Sequence, residues 1–93
     1  METISVERSP SGYMFLVATG GRQLGLVHRE PKRLFGLIPF ANLWHPKVAI
    51  VSDGLVSYTK PVGPDEGFAT LSGAVRALLR EHTIEEDSPV TFI

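Results

Sequence analysis

The alternation of apolar and polar positions in the first third of the chain predicts three strands joined by tight turns. Residues 3–8 alternate in the manner of a half-buried strand, and residues 13–19 form a second candidate after a turn that contains Pro10 and Gly12. Gly20-Gly21 then predicts a two-residue hairpin. This turn places three residues of the second strand opposite three of the third on a common core face: Val17 with Leu24, Phe15 with Leu26 and Tyr13 with His28.

A second hairpin is predicted in the middle of the chain. Residues 47–52 and 55–60 are rich in β-branched and aromatic side chains, and Asp53-Gly54 between them is a strong signal for a two-residue turn. The register that follows pairs Val51 with Val56 and Ala49 with Tyr58 on one face, and Ile50 with Ser57 on the other. A loop rich in proline and glycine follows at residues 61–67.

The last third predicts one amphipathic helix. Thr70 is a good N-cap for a helix that runs from Leu71 to about His82. One buried stripe has helical spacing and comprises Leu71, Ala74, Val75, Leu78 and Leu79. Residues 89–93 then predict a short edge strand. The predicted fold is therefore an α+β domain with an antiparallel sheet of five to six strands, two of its connections clear hairpins, packed on one C-terminal helix.

Residues 34–44 interrupt these regular patterns. The segment holds the only tryptophan and two of the five phenylalanines, and it carries no charge. It is apolar at almost every position, which fits neither a one-faced helix nor a half-exposed strand, and Gly36, Pro39 and Asn42 argue against a regular helix. Two interpretations follow. The segment is either a buried crossover that adds to a small core, or an apolar cluster that binds a partner.

Length and composition limit the class of protein. A chain of 93 residues corresponds to one domain, residues 1–93, and it contains no cysteine, which fits a reducing cytoplasm. The first eight residues are polar, so no signal peptide is expected, and the apolar segment is too short to span a membrane. The net charge is −1, and residues 64–93 carry two basic residues against six acidic ones. Bulk affinity for nucleic acid would need a basic excess instead.

Two stretches resemble a group of short proteins from actinobacteria and their phages, in which strands precede a single helix. Gly67-Phe68-Ala69-Thr70, followed by Ala74-Val75-Arg76-Ala77-Leu78-Leu79, resembles their closing G-F-A-T … A-V-x-A-L-L sequence. Gly21-Arg22-Gln23-Leu24-Gly25 is similar to their D-G-R-x-L-G hairpin, although Gly20 replaces the acidic residue. Residues 30–46 have no counterpart. The resemblance implies a phage or actinobacterial accessory protein, and it implies no activity.

No catalytic or cofactor motif is present in the sequence. His28, His45 and His82 lie too far apart along the chain for a local metal motif, and no serine lies in a nucleophile elbow. No glycine cluster has the spacing of a phosphate-binding loop. We therefore expect no enzyme activity, no metal and no cofactor.

Partner binding is the function that the sequence favours, through a protein partner such as a host protein or through self-association. Six residues in or beside the apolar segment are candidates: Arg33, Phe35, Ile38, Phe40, Trp44 and Lys47. The helix side opposite the stripe is a second candidate surface, with Gly73, Arg76, Ala77 and Arg80. A nucleic-acid-binding module that uses a basic sheet face is the alternative function. Contact with a membrane interface is less favoured, because the apolar segment lacks an amphipathic period.

Overall fold

The computed structural model describes residues 3–34 and 38–93. In this part of the chain there are six strands and one helix. In chain order they are β1 (Ile4–Arg8), β2 (Met14–Thr19), β3 (Arg22–Leu34), β4 (Ile38–Ser52), β5 (Leu55–Pro61), α1 (Leu71–Glu81) and β6 (Val90–Phe92).

All six strands belong to one sheet, in the order β5-β4-β3-β2-β1-β6. Neighbouring strands from β1 to β5 are antiparallel, whereas β6 runs parallel to β1. The α+β class and the C-terminal helix are confirmed, and the prediction of a purely antiparallel sheet is wrong. The reason is that the chain passes α1 before it returns to the edge beside β1, so no tight turn fixes the direction of β6.

The first hairpin has a different register from the predicted one. Leu24 is an extra residue on β3, so Val17 lies opposite Gly25 and Phe15 lies opposite Val27. Leu24 and Val27 are buried, while His28 is exposed, so the predicted partners Leu26 and His28 do not belong to the core face. A bulge of this kind cannot be read from alternation alone, because it changes the phase of the strand beyond it.

The second hairpin has the predicted register. Val51 lies opposite Val56, Ala49 opposite Tyr58 and Ile50 opposite Ser57. Asp53 and Gly54 have φ values of 53° and 79°, as a type I′ turn requires.

Helix α1 covers one face of the sheet and supplies nearly half of the core. The Thr70 hydroxyl accepts a hydrogen bond from the Gly73 amide at 3.0 Å, which confirms the predicted N-cap. The core contains residues of β1, β2, β3 and the helix: Ile4, Val6, Val17, Leu24, Val27, Ala74, Val75, Leu78 and Leu79. Ala77 is also buried, so its predicted position on an open side of the helix is wrong.

Residues 38–44 belong to a strand, so the interpretation of this segment as a crossover is wrong. They open the 15-residue strand β4, which pairs with β3 from Gly25 to Leu34. Their apolar pattern does not alternate cleanly because a register shift lies between Lys32 and Arg33, which makes Phe40 an extra residue on β4.

Candidate functional site

The outer parts of β3 and β4 form a two-stranded extension of the sheet, which we call the ribbon arm. It consists of residues 30–34 paired with residues 38–43. Strand β2 reaches only as far as Arg29, whose amide donates to the Tyr13 carbonyl at 2.7 Å. Past this point neither strand of the arm has a neighbouring strand among the described residues. Five residues of strand extend about 17 Å, which agrees with a longest molecular dimension of 43 Å.

Trp44 connects the base of the ribbon arm to the rest of the protein by ring packing and by backbone hydrogen bonds. Its ring meets the Phe15 ring edge-on, with centroids 5.4 Å apart and an angle of 67° between the planes. Its backbone exchanges two hydrogen bonds with Phe68, at 2.9 and 2.8 Å. The side chain is half-buried against the core. Trp44 therefore has a structural role at the base of the arm, in addition to whatever surface it offers a partner.

A charged cluster lies on one face of the arm near its base. The Lys32 ammonium is 2.8 Å from the Glu30 carboxylate, and His45 Nε2 is 3.1 Å from the other oxygen of the same carboxylate, without the alignment of a hydrogen bond. The hydrogen bond and charge of Lys32 hold the pKa of Glu30 below its ordinary value. Both side chains of the Lys32–Glu30 pair are nearly half exposed, so solvent screens the pair and its main effect is to orient the two side chains.

Gly67 permits the loop before the helix to pass directly over the base of the arm. A Cβ atom at this position would lie 2.8 Å from His45 Cε1, and the backbone has a φ of +88°. Both conditions favour glycine. The loop then pairs with β4 through Phe68, the residue that follows, and this contact fixes the position of His45 beside Glu30.

The residues predicted to bind a partner fall into three groups. Trp44 lies at the base of the arm, and Lys47 is exposed on the body part of β4. Arg33, Ile38 and Phe40 belong to the paired strands of the arm, but their side chains lie outside the described part of the structure. Phe35 lies outside the described residues altogether.

The second predicted surface, on the helix, does not form an open face of small residues. Ala77 is buried, and the Gly73 position faces the Thr70 hydroxyl and the Phe68 ring. Arg76 and Arg80 are exposed. Arg80 donates a 2.7 Å hydrogen bond to Glu86, which raises the pKa of the guanidinium.

The basic residues of the sheet are not gathered on a single face. The Arg22 guanidinium lies 3.1 Å from His82 Nδ1 near the end of the helix, and the Arg29 guanidinium stacks 4.9 Å from the centre of the Tyr13 ring. Lys32 is paired with Glu30 on the face of the arm opposite to Arg29. Lys32 and Arg29 therefore project from opposite faces, and each of these three basic side chains has a partner within the protein.

Sequence reasoning missed two residues that distinguish the edges of the arm. Pro31 lies on β3 and Asn42 lies opposite it on β4. Pro31 was a signal in the sequence, because a proline inside a strand is typical of an outer edge of a sheet. It could be used only after residues 30–43 were recognised as a hairpin.

The described residues contain no cluster of three His, Asp or Glu side chains that could hold a metal ion. Within the same residues, the single helix has neither the length nor the apolar character to cross a bilayer. Comparison with protein families, with curated proteins and with solved structures finds no match to this chain.

Proposed function

We propose that the protein is a small, non-enzymatic accessory protein that binds a protein partner through the ribbon arm. One observation carries this proposal: the arm extends past the sheet, and neither of its strands has an outer neighbour among the described residues. In the phage or actinobacterial setting that the sequence resemblance implies, the partner is a host protein and the interaction is cytoplasmic.

The energetics of a two-stranded ribbon support this proposal. A hairpin without a third strand or a covering layer is marginally stable in water. The described side chains of the arm, at residues 30–32 and 41–43, are not members of the main core, whose described residues belong to β1, β2, the body part of β3 and the helix. The sequence that forms and joins its strands is nevertheless apolar and uncharged from residue 34 to residue 44. A partner that packs on the arm would supply the covering layer that stabilises such a ribbon.

An arm-less variant tests the proposal. Residues 31–42 are replaced by Asn-Gly, which joins Glu30 to Leu43, a pair that already faces each other across the ladder. The variant should keep the helical circular dichroism signal and a cooperative melt, because the core residues remain in place. Some host proteins should be captured from a lysate by the intact protein and not by the arm-less variant. These proteins would then be purified, and calorimetry would measure their affinity for both forms.

Two controls make this experiment decisive. Glu81→Ala and Lys60→Ala change exposed charges on the helix and on β5, outside the arm, and should leave affinity for the purified partner unchanged. A folded arm-less variant that binds the purified partner as tightly as the intact protein would refute the role of the arm.

Nucleic-acid binding is the second candidate function, and it is supported by the charge of the arm taken together with the residues that flank it. Residues 29–47 carry four basic residues against one acidic residue, in a chain of net charge −1. Two-stranded ribbons can enter a groove of DNA. Arg29 and Lys32 are engaged with Tyr13 and Glu30, which makes this candidate weaker. A gel shift on mixed duplex DNA and RNA over a range of salt concentrations separates the two functions.

A further inference from the structure

The two edges of the ribbon arm differ in their ability to accept another strand. Along β3 the amide of Arg29 points outward, toward β2, as its hydrogen bond to Tyr13 shows. Backbone groups alternate in direction along a strand, so the residue two positions later, Pro31, also points outward. Proline has no N–H group, and this edge therefore lacks a donor where a new strand would need one.

The β4 edge has the donor that the β3 edge lacks. Trp44 directs both its N–H and its C=O away from β3, to Phe68. By the same alternation Asn42 directs its N–H and C=O outward too. No hydrogen-bond partner for these two groups occurs among the described residues, and the Asn42 side chain is exposed.

The chain itself already adds a short strand to the β4 edge. Phe68 bridges Trp44 in antiparallel orientation with two good hydrogen bonds. Thr70 is still extended, with φ −132° and ψ 151°, but α1 begins at the next residue and leads the chain away from the edge. The antiparallel register of the bridge brings Thr70 level with Asn42, and the chain leaves the edge there without a hydrogen bond to Asn42 among the described residues.

We infer that this edge is a β-augmentation site, where an acidic, extended strand of another protein adds antiparallel to β4 at Asn42. This inference rests on the proposed binding function of the arm and specifies how the partner is held. The main chain of the partner would continue the line of Phe68 and exchange hydrogen bonds with Asn42. Its acidic character follows from the +3 charge of residues 29–47, since complementary charge favours encounter and register.

A pair of substitutions at one position tests this inference. Asn42→Pro removes the outward N–H and leaves the ladder with β3 intact, because that N–H is not part of the ladder. Asn42→Ala removes the same side chain and keeps the N–H. The probe is a phage-displayed library of random nonapeptides, panned against the intact protein at low salt. We expect enrichment of sequences in which acidic residues alternate with β-branched or aromatic residues.

A synthetic peptide of the enriched sequence is then measured by calorimetry. Asn42→Pro should weaken its binding about tenfold or more, whereas Asn42→Ala and Pro31→Ala should leave it within about threefold. Affinity should also fall as salt rises. Circular dichroism and one-dimensional NMR must show that Asn42→Pro remains folded, and backbone N-methylation of the peptide at alternate residues provides a second measurement that does not alter the protein.

Four results would overturn the inference. The first is that no peptide is enriched, and the second is that Asn42→Pro and the N-methylated peptides bind as well as their parents. The third is concentration-dependent dimerisation in sedimentation velocity that Asn42→Pro abolishes, because the occupant of the edge would then be a second copy of the chain. The fourth is that a partner which binds the intact protein but not the arm-less variant binds Asn42→Pro normally. Binding through the arm would then be retained, and strand addition at Asn42 would be rejected.

Discussion

Gly25 lies where β3, β4 and the helix come closest together, and a single methyl group there should destabilise the protein. A Cβ atom at this residue would overlap the Lys47 carbonyl oxygen on β4 and lie 2.9 Å from Leu78 Cδ2 on the helix. Gly25 directly follows the bulged residue Leu24. The cost of Gly25→Ala therefore comes from steric overlap, since its backbone is not in the left-handed region.

The magnitude follows from the nature of the two neighbours. Overpacking in a close-packed core typically costs about 1–3 kcal/mol. The carbonyl of Lys47 belongs to the backbone of a paired strand and cannot rotate away, so we expect the upper part of this range, about 3 kcal/mol. A domain of this length has a total stability of about 5–14 kcal/mol. The substitution should thus remove a large fraction of the free energy of unfolding.

Urea unfolding, followed by the fluorescence of Trp44 and by circular dichroism, measures this loss. Gly20→Ala is the matched control: nothing lies within 4 Å of its Cβ position, and its φ of +54° should cost only about 1–2 kcal/mol. Leu78→Ala provides a second test. It removes the Cδ contact but keeps the carbonyl contact, so Gly25→Ala should cost nearly as much in that background. A Gly25→Ala protein as stable as wild type would refute this account of the three-way contact.

Four further changes test other parts of the structure. Leu78→Ala should lower the free energy of unfolding by about 2–5 kcal/mol, because the side chain is fully buried, and an unchanged melting temperature would contradict the packing of α1. Gly54→Val should cost more than about 1 kcal/mol in the same urea assay, because φ at this residue is +79° in a type I′ turn. Trp44→Ala should lower the free energy of unfolding by about 3 kcal/mol through loss of the Phe15 contact. A variant with wild-type stability would contradict a structural role for Trp44. Lys32→Ala should raise the pKa of Glu30 toward its ordinary value in an NMR titration, because Lys32 is the main cause of the lowered pKa. In the wild-type protein the ion pair stabilises the fold above the ordinary pKa of Glu30, and this stabilisation is lost as the pH falls through the lowered pKa.

The elements governed by local chemistry were predictable from the sequence. Asp53-Gly54 determines its turn through the φ values of two residues, so the register of the hairpin on both sides followed correctly. Thr70 and the stripe that includes Leu78 determine the helix in the same way. Each of these signals lies within a few residues of the structure that it specifies.

The errors arose where tertiary contacts decide the outcome. Leu24 is an extra residue in β3, and no local sequence signal marks a bulge at this position. The arm was missed for a related reason. Its strands do not alternate cleanly between apolar and polar residues, and an extra residue at Phe40 shifts the register. The apolar segment was recognised along the chain, but the pairing of its residues 38–43 with β3 was not foreseen.

The parallel pairing of β6 with β1 has a consequence for how the chain folds. The Ile4 amide donates to the Pro89 carbonyl, and the Ile93 amide donates to the Val6 carbonyl, so this pair of strands has the largest sequence separation in the sheet. Contacts of this kind raise the contact order and form late. While the nascent chain emerges, β1 can pair with β2 but its other edge stays bare. The three residues of β6 thus cover the outer edge of a core strand, and their removal would expose an edge that is open to intermolecular pairing.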